Sequence, residues 1–274
     1  MNVLDYLNSF VNTLEHPFNR KSKICTILRI FYWKVNQWFF HMPTIIELEK
    51  GVKCICYPDS SYGGMVVYNR WAEYDVIVNI IKNLHPNSVY VDVGANIGDT
   101  TIIAAAHTKG KIYAFEPSSV AFPRLLENIA LNSLEPQIVA EKLVLSDKNS
   151  TIKFTEMPTS ETSHVTQSKE SGNKLTSCKS VTLDRYCQEH SIKKIDLMKI
   201  DVEGAEMLVL KGAAKLLQHG AIKYILLELN LAGLSYGYKN SDVIKYLKSF
   251  RYRLPKLPDN LDGKIINVHA RSPQ

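Results

Sequence analysis

Asp92, Glu116, Asp201, Glu203 and Glu228 are the residues whose type and setting could do chemistry. Each is a carboxylate in or just after a short apolar run, where a buried acid is costly unless it meets a partner. Asp92 interrupts the run from Val89 to Val93. Gly94 and Gly98 follow it, and the helix-forming stretch from Asp99 to Ala106 comes next, with Asp99 as candidate N-cap. A strand, a glycine turn and a helix start make a nucleotide or nucleoside site. Glycine lets backbone approach a ligand lying beyond the carboxyl end of the strand.

Spacing narrows the ligand. A dinucleotide turn needs G-x-G-x-x-G, but Asn96 and Asp99 occupy the second and third glycine places here. That argues against a nicotinamide-dependent oxidoreductase. Asp92 and Asp99 also flank a turn that a pyrophosphate would want free of carboxylates. A ligand with a cationic amino group fits better. Glu116 ends a second strand, Lys111–Phe115, at about the 20-residue distance from which an acid reads ribose hydroxyls. S-adenosylmethionine carries both an ammonium and a ribose and is the expected cofactor. The competing account is an N-capped α/β turn without a cofactor.

The remaining elements must position these acids. Strands are expected at Ile138–Leu145, Ile195–Ile200 and Lys223–Leu229, alternating with helices from Pro117, at Val181–Cys187, from Glu203 and at Val243–Phe250. Tyr252–Lys256 and Ile265–Ala270 would pair last. This alternation is an α/β doubly wound sheet. Asp201 closes its strand beside the cofactor crevice, whereas Glu203 and Glu206 also suit helix-start capping. Pro158–Ser177, poor in apolar residues, reads as a loop covering the substrate, with His164 an inert member. Tyr236, Tyr238, Lys239 and Asn240 read as a substrate rim.

Val-Asp-Val-Gly-Ala-Asn-Ile-Gly (91–98), Phe-Glu-Pro (115–117), Leu-Ser-Asp (145–147) and Lys-Ile-Asp-Val-Glu-Gly-Ala-Glu (199–206) together resemble the FkbM family of S-adenosylmethionine-dependent methyltransferases. The likeness runs from about Tyr68 to about Asn230. It implies a Rossmann-like sheet of seven strands with the last antiparallel, and a hydroxyl oxygen on a small molecule or glycan as methyl acceptor. By the same resemblance the cofactor contacts fall on Glu73, Asp92, Gly94, Asn96, Gly98, Thr100, Glu116, Pro117, Ser146, Asp147 and Asp201. Glu73 would reach the amino-acid end and Asp147 the adenine edge; a solvated helix-start acid and a plain turn Asp are the alternatives. Asn230 stands where relatives often carry His. Asp201 is then the expected general base, with Glu203 and Glu228 as further candidates. A divalent ion acidifying the hydroxyl is the alternative, although no metal-ligand spacing supports it. A non-catalytic cofactor-binding or interaction protein that keeps the fold is the rival reading.

Composition sets the remaining bounds. The chain has 274 residues, 45% of them apolar, and a formal charge of +6, which does not by itself indicate nucleic acid. The organisation expected is an N-terminal extension of helices and short strands over 1–67 and a methyltransferase domain over 68–274. Five scattered cysteines suggest a reduced, cytosolic compartment, with Cys54 and Cys56 packing on one face of a strand. The first fifteen residues carry Asp5 and Glu15 and do not read as a signal peptide. Aromatics and cations mark residues 18–40 and their flanks: from His16 to Thr44 there is no acid, but Arg20, Lys21, Lys23, Arg29 and Lys34 are present. This segment lies on a membrane surface or grips a partner, or it packs on the core or on a second subunit of an oligomer. It is too interrupted to span a bilayer.

Overall fold

The computed structural model describes residues 3–156, 164–165, 174–258, 260–263 and 265–273. They form two compact units, Met1–Val78 and Asn79–Gln274.

In the first unit, α1 (Val3–Glu15) stops before His16-Pro17, and α2 (Lys23–Val35) runs on into a wide π-helical turn, Asn36–Phe40. A hairpin of β1 (Thr44–Glu49) and β2 (Val52–Cys56) turns through Gly51 at φ +85°. Cys54 and Cys56 share its buried face at 0% exposure, as packing residues should. The stretch Pro58–Gly64, rich in turn-forming residues, leads into α3 (Ser61–Asn69). Ser60 caps it by accepting a hydrogen bond from the Gly63 amide at 2.8 Å. Gly64 faces the Trp33 indole, where a Cβ would sit 3.0 Å from Nε1. Gly64 therefore marks a close helix–helix approach and not a turn. The division between the units falls within α4 (Tyr74–Asn83). Among the described residues no helix is long and apolar enough to cross a membrane.

The second unit begins with β3 (Tyr90–Val93), α5 (Asp99–His107), β4 (Ile112–Phe115), α6 (Ala121–Leu131) and β5 (Ile138–Glu141). Next come β6 (Val144–Leu145), β7 (Ser150–Glu156), β8 (His164–Val165), β9 (Lys174–Val181) and α7 (Leu183–Glu189). The chain continues through β10 (Ile195–Ile200), α8 (Glu206–Gly212), α9 (Ala214–Gln218), β11 (Ile222–Leu229), α10 (Asn240–Ser249) and β12 (Ile266–Arg271). The central sheet has the order β12-β11-β10-β3-β4-β5, parallel except for β12. Its strands read as continuous apolar runs because both faces are covered. Val91, Met198, Ile225 and Leu227 pack with Val209, Leu210, Ile244 and Leu247 of the helices.

The expected antiparallel last strand is present, but the sheet has six strands among the described residues where seven were expected. Tyr252–Lys256 contributes one bridge, Arg253 to Arg271, because Pro255 lacks the donor a ladder needs. The strand expected over Ile138–Leu145 divides at Lys142-Leu143. Its first half edges the central sheet, and its second half joins β9 in a separate sheet of order β6-β9-β7-β8. The helix expected at Val181–Cys187 starts two residues later, capped by Thr182, whose hydroxyl accepts from the Arg185 amide. Of the expected loop Pro158–Ser177, residues 164–165 and 174–177 are strand; residues 157–163 and 166–173 lie outside the described residues, so its covering role stays with the sequence.

Chain order reverses at the centre of the sheet. β3 leads outward to β4 and β5, and the chain returns to lay β10 on the other side of β3. Ligands of open α/β sheets bind beyond the strand ends at such a switch point. Here Gly94 (φ +83°) passes so close to β10 that a Cβ would lie 1.8 Å from the Asp201 carbonyl oxygen. Replacing it combines a left-handed backbone with a backbone clash. We expect Gly94→Ala to lower unfolding stability by about 2–4 kcal/mol in denaturant melts. An unchanged midpoint would show that the two strand ends can separate without cost.

Candidate active site

Asp92 is wholly buried in β3, facing Lys199 on one neighbour strand and Ala114 on the other. Its Oδ2 accepts from the hydroxyls of Thr100 (2.9 Å) and Thr101 (2.6 Å) in the first turns of α5. Burial pushes its carboxyl above the usual range, and Asp201 adds to the rise; the Lys199 ammonium and the two hydroxyls oppose it. Gly98 at φ +86°, not Asp99, is the N-cap of α5, and Asp99 is the first helical residue. A Cβ on Gly98 would stand 2.4 Å from Leu125 Cδ1, so α6 presses on the turn from outside. Asn128 of the same helix donates to the Ile97 carbonyl at 2.9 Å.

Glu116 lies against this turn. Its Oε2 accepts from the Asn96 amide at 2.8 Å and its Oε1 from the Ser118 amide at 2.9 Å. The Gly94 and Ala95 amides both donate to the Phe115 carbonyl, which locks the two strand ends together. Burial pushes Glu116 up to about 7; the two amides counter it, while Asp92 and Asp201 add to it. Asn96 holds φ +50°, a left-handed geometry that Asn tolerates better than most residues.

Across the switch point, Lys199 Nζ meets Asp201 Oδ2 at 2.8 Å, with the lysine side chain 6% exposed. Glu203 sits at φ +49°, an uncommon conformation for its type and one often found at functional sites. Asn230 Nδ2 donates to Glu203 Oε2 at 3.0 Å, and Asn230 Oδ1 accepts from the Ala232 amide. The residue in the histidine place therefore caps a short 3-10 helix (231–236) and orients Glu203. Half-buried Glu228 completes the group. Burial, then the charges of Asp201 and Glu203, push it up to about 7, against the pull of Lys199. Its carboxylate takes no hydrogen bond from a described residue.

Other candidates take different places. Glu206 is 1% exposed; it accepts from the Gly204 amide at 2.8 Å and from the Tyr238 hydroxyl at 3.2 Å. Tyr238 also donates to the Gly204 carbonyl. Both residues brace the turn after β10, in keeping with the capping account of Glu206. Of the expected substrate rim, Tyr238 and Asn240 are buried: Tyr238 packs in the hydrophobic core, and Asn240 donates to the Leu261 carbonyl. Ser146 and Asp147 follow β6, and their hydrogen bonds run to each other and to Val181 and not to the glycine turn. Pro117 is half-buried between Glu116 and Ser118. Glu73 belongs to the first unit, half-buried in the turn before α4. Thr101, Lys199 and Asn128 were not singled out from sequence. Lys199 left a signal nonetheless, because a cation breaks the apolar run of β10 as Asp92 breaks that of β3.

What remains unsatisfied indicates what the site accepts. Asp92 Oδ1 and Asn96 Oδ1 are buried with no hydrogen-bond partner among the described residues. Both are acceptors, and an orphaned buried acceptor costs about 1–3 kcal/mol. With Glu116 and Asp201 nearby, the set suits ammonium and hydroxyl donors and disfavours a phosphate. The residues therefore fit S-adenosylmethionine. Among the described residues no group of three or more His, Cys, Asp or Glu is arranged to hold a metal ion.

Comparison with known proteins agrees. Residues 92–254 match the methyltransferase FkbM domain. The chain is 29% identical over 175 residues to the hexuronic acid methyltransferase AglP of Haloferax volcanii, covering 64% of this chain and 67% of that protein. It is 30% identical over 162 residues to the methyltransferase sdnD of Sordaria araneosa, covering 48% of this chain and 62% of that protein. The matches thus span about two thirds or less of these relatives. Among solved structures, the precorrin-6y C5,15-methyltransferase of Geobacter metallireducens gives a TM-score of 0.44 at 11% identity, over 72% of this chain and 88% of that one. With more than half of its 274 residues matched, the protein belongs to the FkbM family of methyltransferases, and S-adenosylmethionine is its cofactor.

Proposed function

We propose that the protein methylates a hydroxyl oxygen of a small molecule or glycan. The observation that carries this reading is Glu228, a carboxylate with no hydrogen bond from a described residue, pushed up to about 7 by burial and by Asp201 and Glu203. Such a group can take the proton of an attacking hydroxyl at neutral pH and pass it to solvent. The Haloferax relative is a hexuronic acid methyltransferase, which supports a sugar-like acceptor.

Asp92, Asn96 and the backbone at Gly94 and Gly98 would hold the amino-acid end of the cofactor. Glu116 and Pro117 would hold the ribose side, and Ser146 with Asp147 the adenine edge. Thr100 acts by orienting Asp92, since its hydroxyl is already committed to that carboxylate. When bound, the cofactor supplies an electrophilic methyl group on a sulfonium. The chain's task is to hold an acceptor oxygen in line with it, and alignment alone is worth about 7–11 kcal/mol. Asp201 and Glu203 suit that task. Lys199 fixes the first and Asn230 the second, so both are orientated acceptors for polyol hydroxyls. We assign the base to Glu228 ahead of Asp201, because Asp201 Oδ2 is already held by the Lys199 ammonium.

Two measurements follow. Glu116 must be ionised to accept from both ribose hydroxyls, and its raised pKa of about 7 means that cofactor affinity should tighten as pH rises through that value. Glu116→Gln should flatten this dependence and weaken binding about tenfold or more. An unchanged dissociation constant would remove Glu116 from the site.

For the chemistry, a screen of sugar and small-molecule hydroxyls for labelled-methyl transfer should find an acceptor. Turnover of that acceptor should rise as pH passes about 7. Glu228→Gln should abolish that rise and slow turnover about a hundredfold or more, with cofactor affinity kept. An active Glu228→Gln beside a dead Asp201→Asn would move the base to Asp201. Methylation of amines or carbon acids and of no hydroxyl would overturn the reading.

A further inference from the structure

We propose that α2 and the turn after it form a docking surface for an anionic lipid bilayer. In an ordinary surface helix the apolar stripe faces inward. In α2 it faces outward. Ile24 (75% exposed), Ile27, Leu28 and Phe31 (67%) follow the i, i+3, i+4, i+7 spacing and are all exposed, while Thr26 and Trp33 occupy the buried side. Trp38 (70%), Phe39 (72%), Phe40 and Met42 extend this apolar surface beyond the helix end.

The aromatic turn is built and not frayed. Asn36 is buried, and its side-chain amide donates to the Met42 carbonyl at 2.7 Å and to the Thr44 hydroxyl at 3.3 Å. Its Oδ1 accepts from the Met42 amide at 3.1 Å. Gln37 donates to the Pro58 carbonyl at 2.7 Å, and His41 takes a left-handed φ of +51° to close the turn. One buried asparagine and one tethered glutamine thus hold Trp38, Phe39 and Phe40 out in water. Exposed rings on a fixed turn lose little conformational freedom when they enter an apolar phase, so the geometry favours insertion.

Charge selects the occupant. Arg20, Lys21, Lys23 and Lys34 are exposed beside the apolar side chains, and no acid occurs between Glu15 and Glu47. Glu15 offsets Lys23 in an ion pair, leaving Arg20, Lys21 and Lys34 as the cations available to phosphate headgroups. Aromatic and aliphatic side chains rimmed by cations are the chemistry of a helix lying in the plane of an anionic leaflet. A second copy of this surface would bring like charges together.

The test uses the full chain with vesicles of phosphatidylcholine alone or mixed with phosphatidylglycerol. It should co-sediment with the mixed vesicles, and far less at high salt or with the neutral ones. Trp38 should move its fluorescence to shorter wavelength on binding, a shift that Trp38→Phe removes. The pair Trp38→Ala with Phe39→Ala should weaken partitioning about tenfold or more. Lys21→Ser and Lys34→Ser should each cost about fivefold, since one cation near an anionic surface is worth about 1 kcal/mol. All four side chains are exposed, and retained cofactor binding checks the fold of each variant. Failure to bind anionic vesicles at low salt would overturn the proposal. So would binding that the aromatic pair does not change, or concentration-dependent dimerisation that the same substitutions abolish in the absence of lipid binding.

Discussion

The close pass between Gly94 and the Asp201 carbonyl holds the site together. β3 and β10 are hydrogen-bonded neighbours, with the Asp201 amide donating to the Val93 carbonyl at 2.9 Å, and their ends must turn away from each other to open a crevice. They can do so at this separation because position 94 has no side chain and adopts a positive φ. The contacts at the two strand ends are built on that geometry. It brings Asp92 and Asp201 onto adjacent strand ends, lets Lys199 lie between their charges, and sends the turn toward Glu116.

The electrostatic consequence is an excess of acid around one buried cation. Asp92, Glu116 and Glu228 are all raised by burial, and Asp201 adds to the rise of each. Water would remove such coupling at a surface, but here the groups are shielded by the sheet and its helices. Backbone and side-chain donors hold part of this charge in place, leaving acceptors that are orientated but not saturated. A site built this way discriminates by sign. Such a set suits ammonium and hydroxyl donors and cationic groups and disfavours phosphates, in keeping with a turn that lacks the third glycine of a dinucleotide site.

Much of this could be read from the sequence, and the reasons differ by element. β10 was found to the residue because Ile195, Leu197, Met198 and Ile200 supply the apolar side chains that a buried parallel strand requires, and Asp201 ends it. The glycine turn was legible because spacing alone separates two glycines from three. Other features depend on partners distant in the chain. Nothing local says that Val144-Leu145 leaves the central sheet, since the choice is made by β9 more than thirty residues on. The roles of Tyr238 and Asn230 were hidden for the same reason: their partners, Glu206 and Glu203, lie on another turn. Lys199 could have been suspected, because an ammonium in a buried strand requires an anion as surely as Asp92 requires a donor.

The Gly63-Gly64 pair in α3 has a consequence for how the first unit holds together. Glycine is the poorest helix former after proline, costing about 1 kcal/mol per residue relative to alanine. A nine-residue helix carrying two of them has no standing in isolation. What compensates is the flat approach to Trp33, which is 0% exposed, and the Ser60 cap. The helix is therefore borrowed stability: its amides should exchange with solvent on the same opening that releases Trp33, and α2 and α3 form one cooperative unit in place of two.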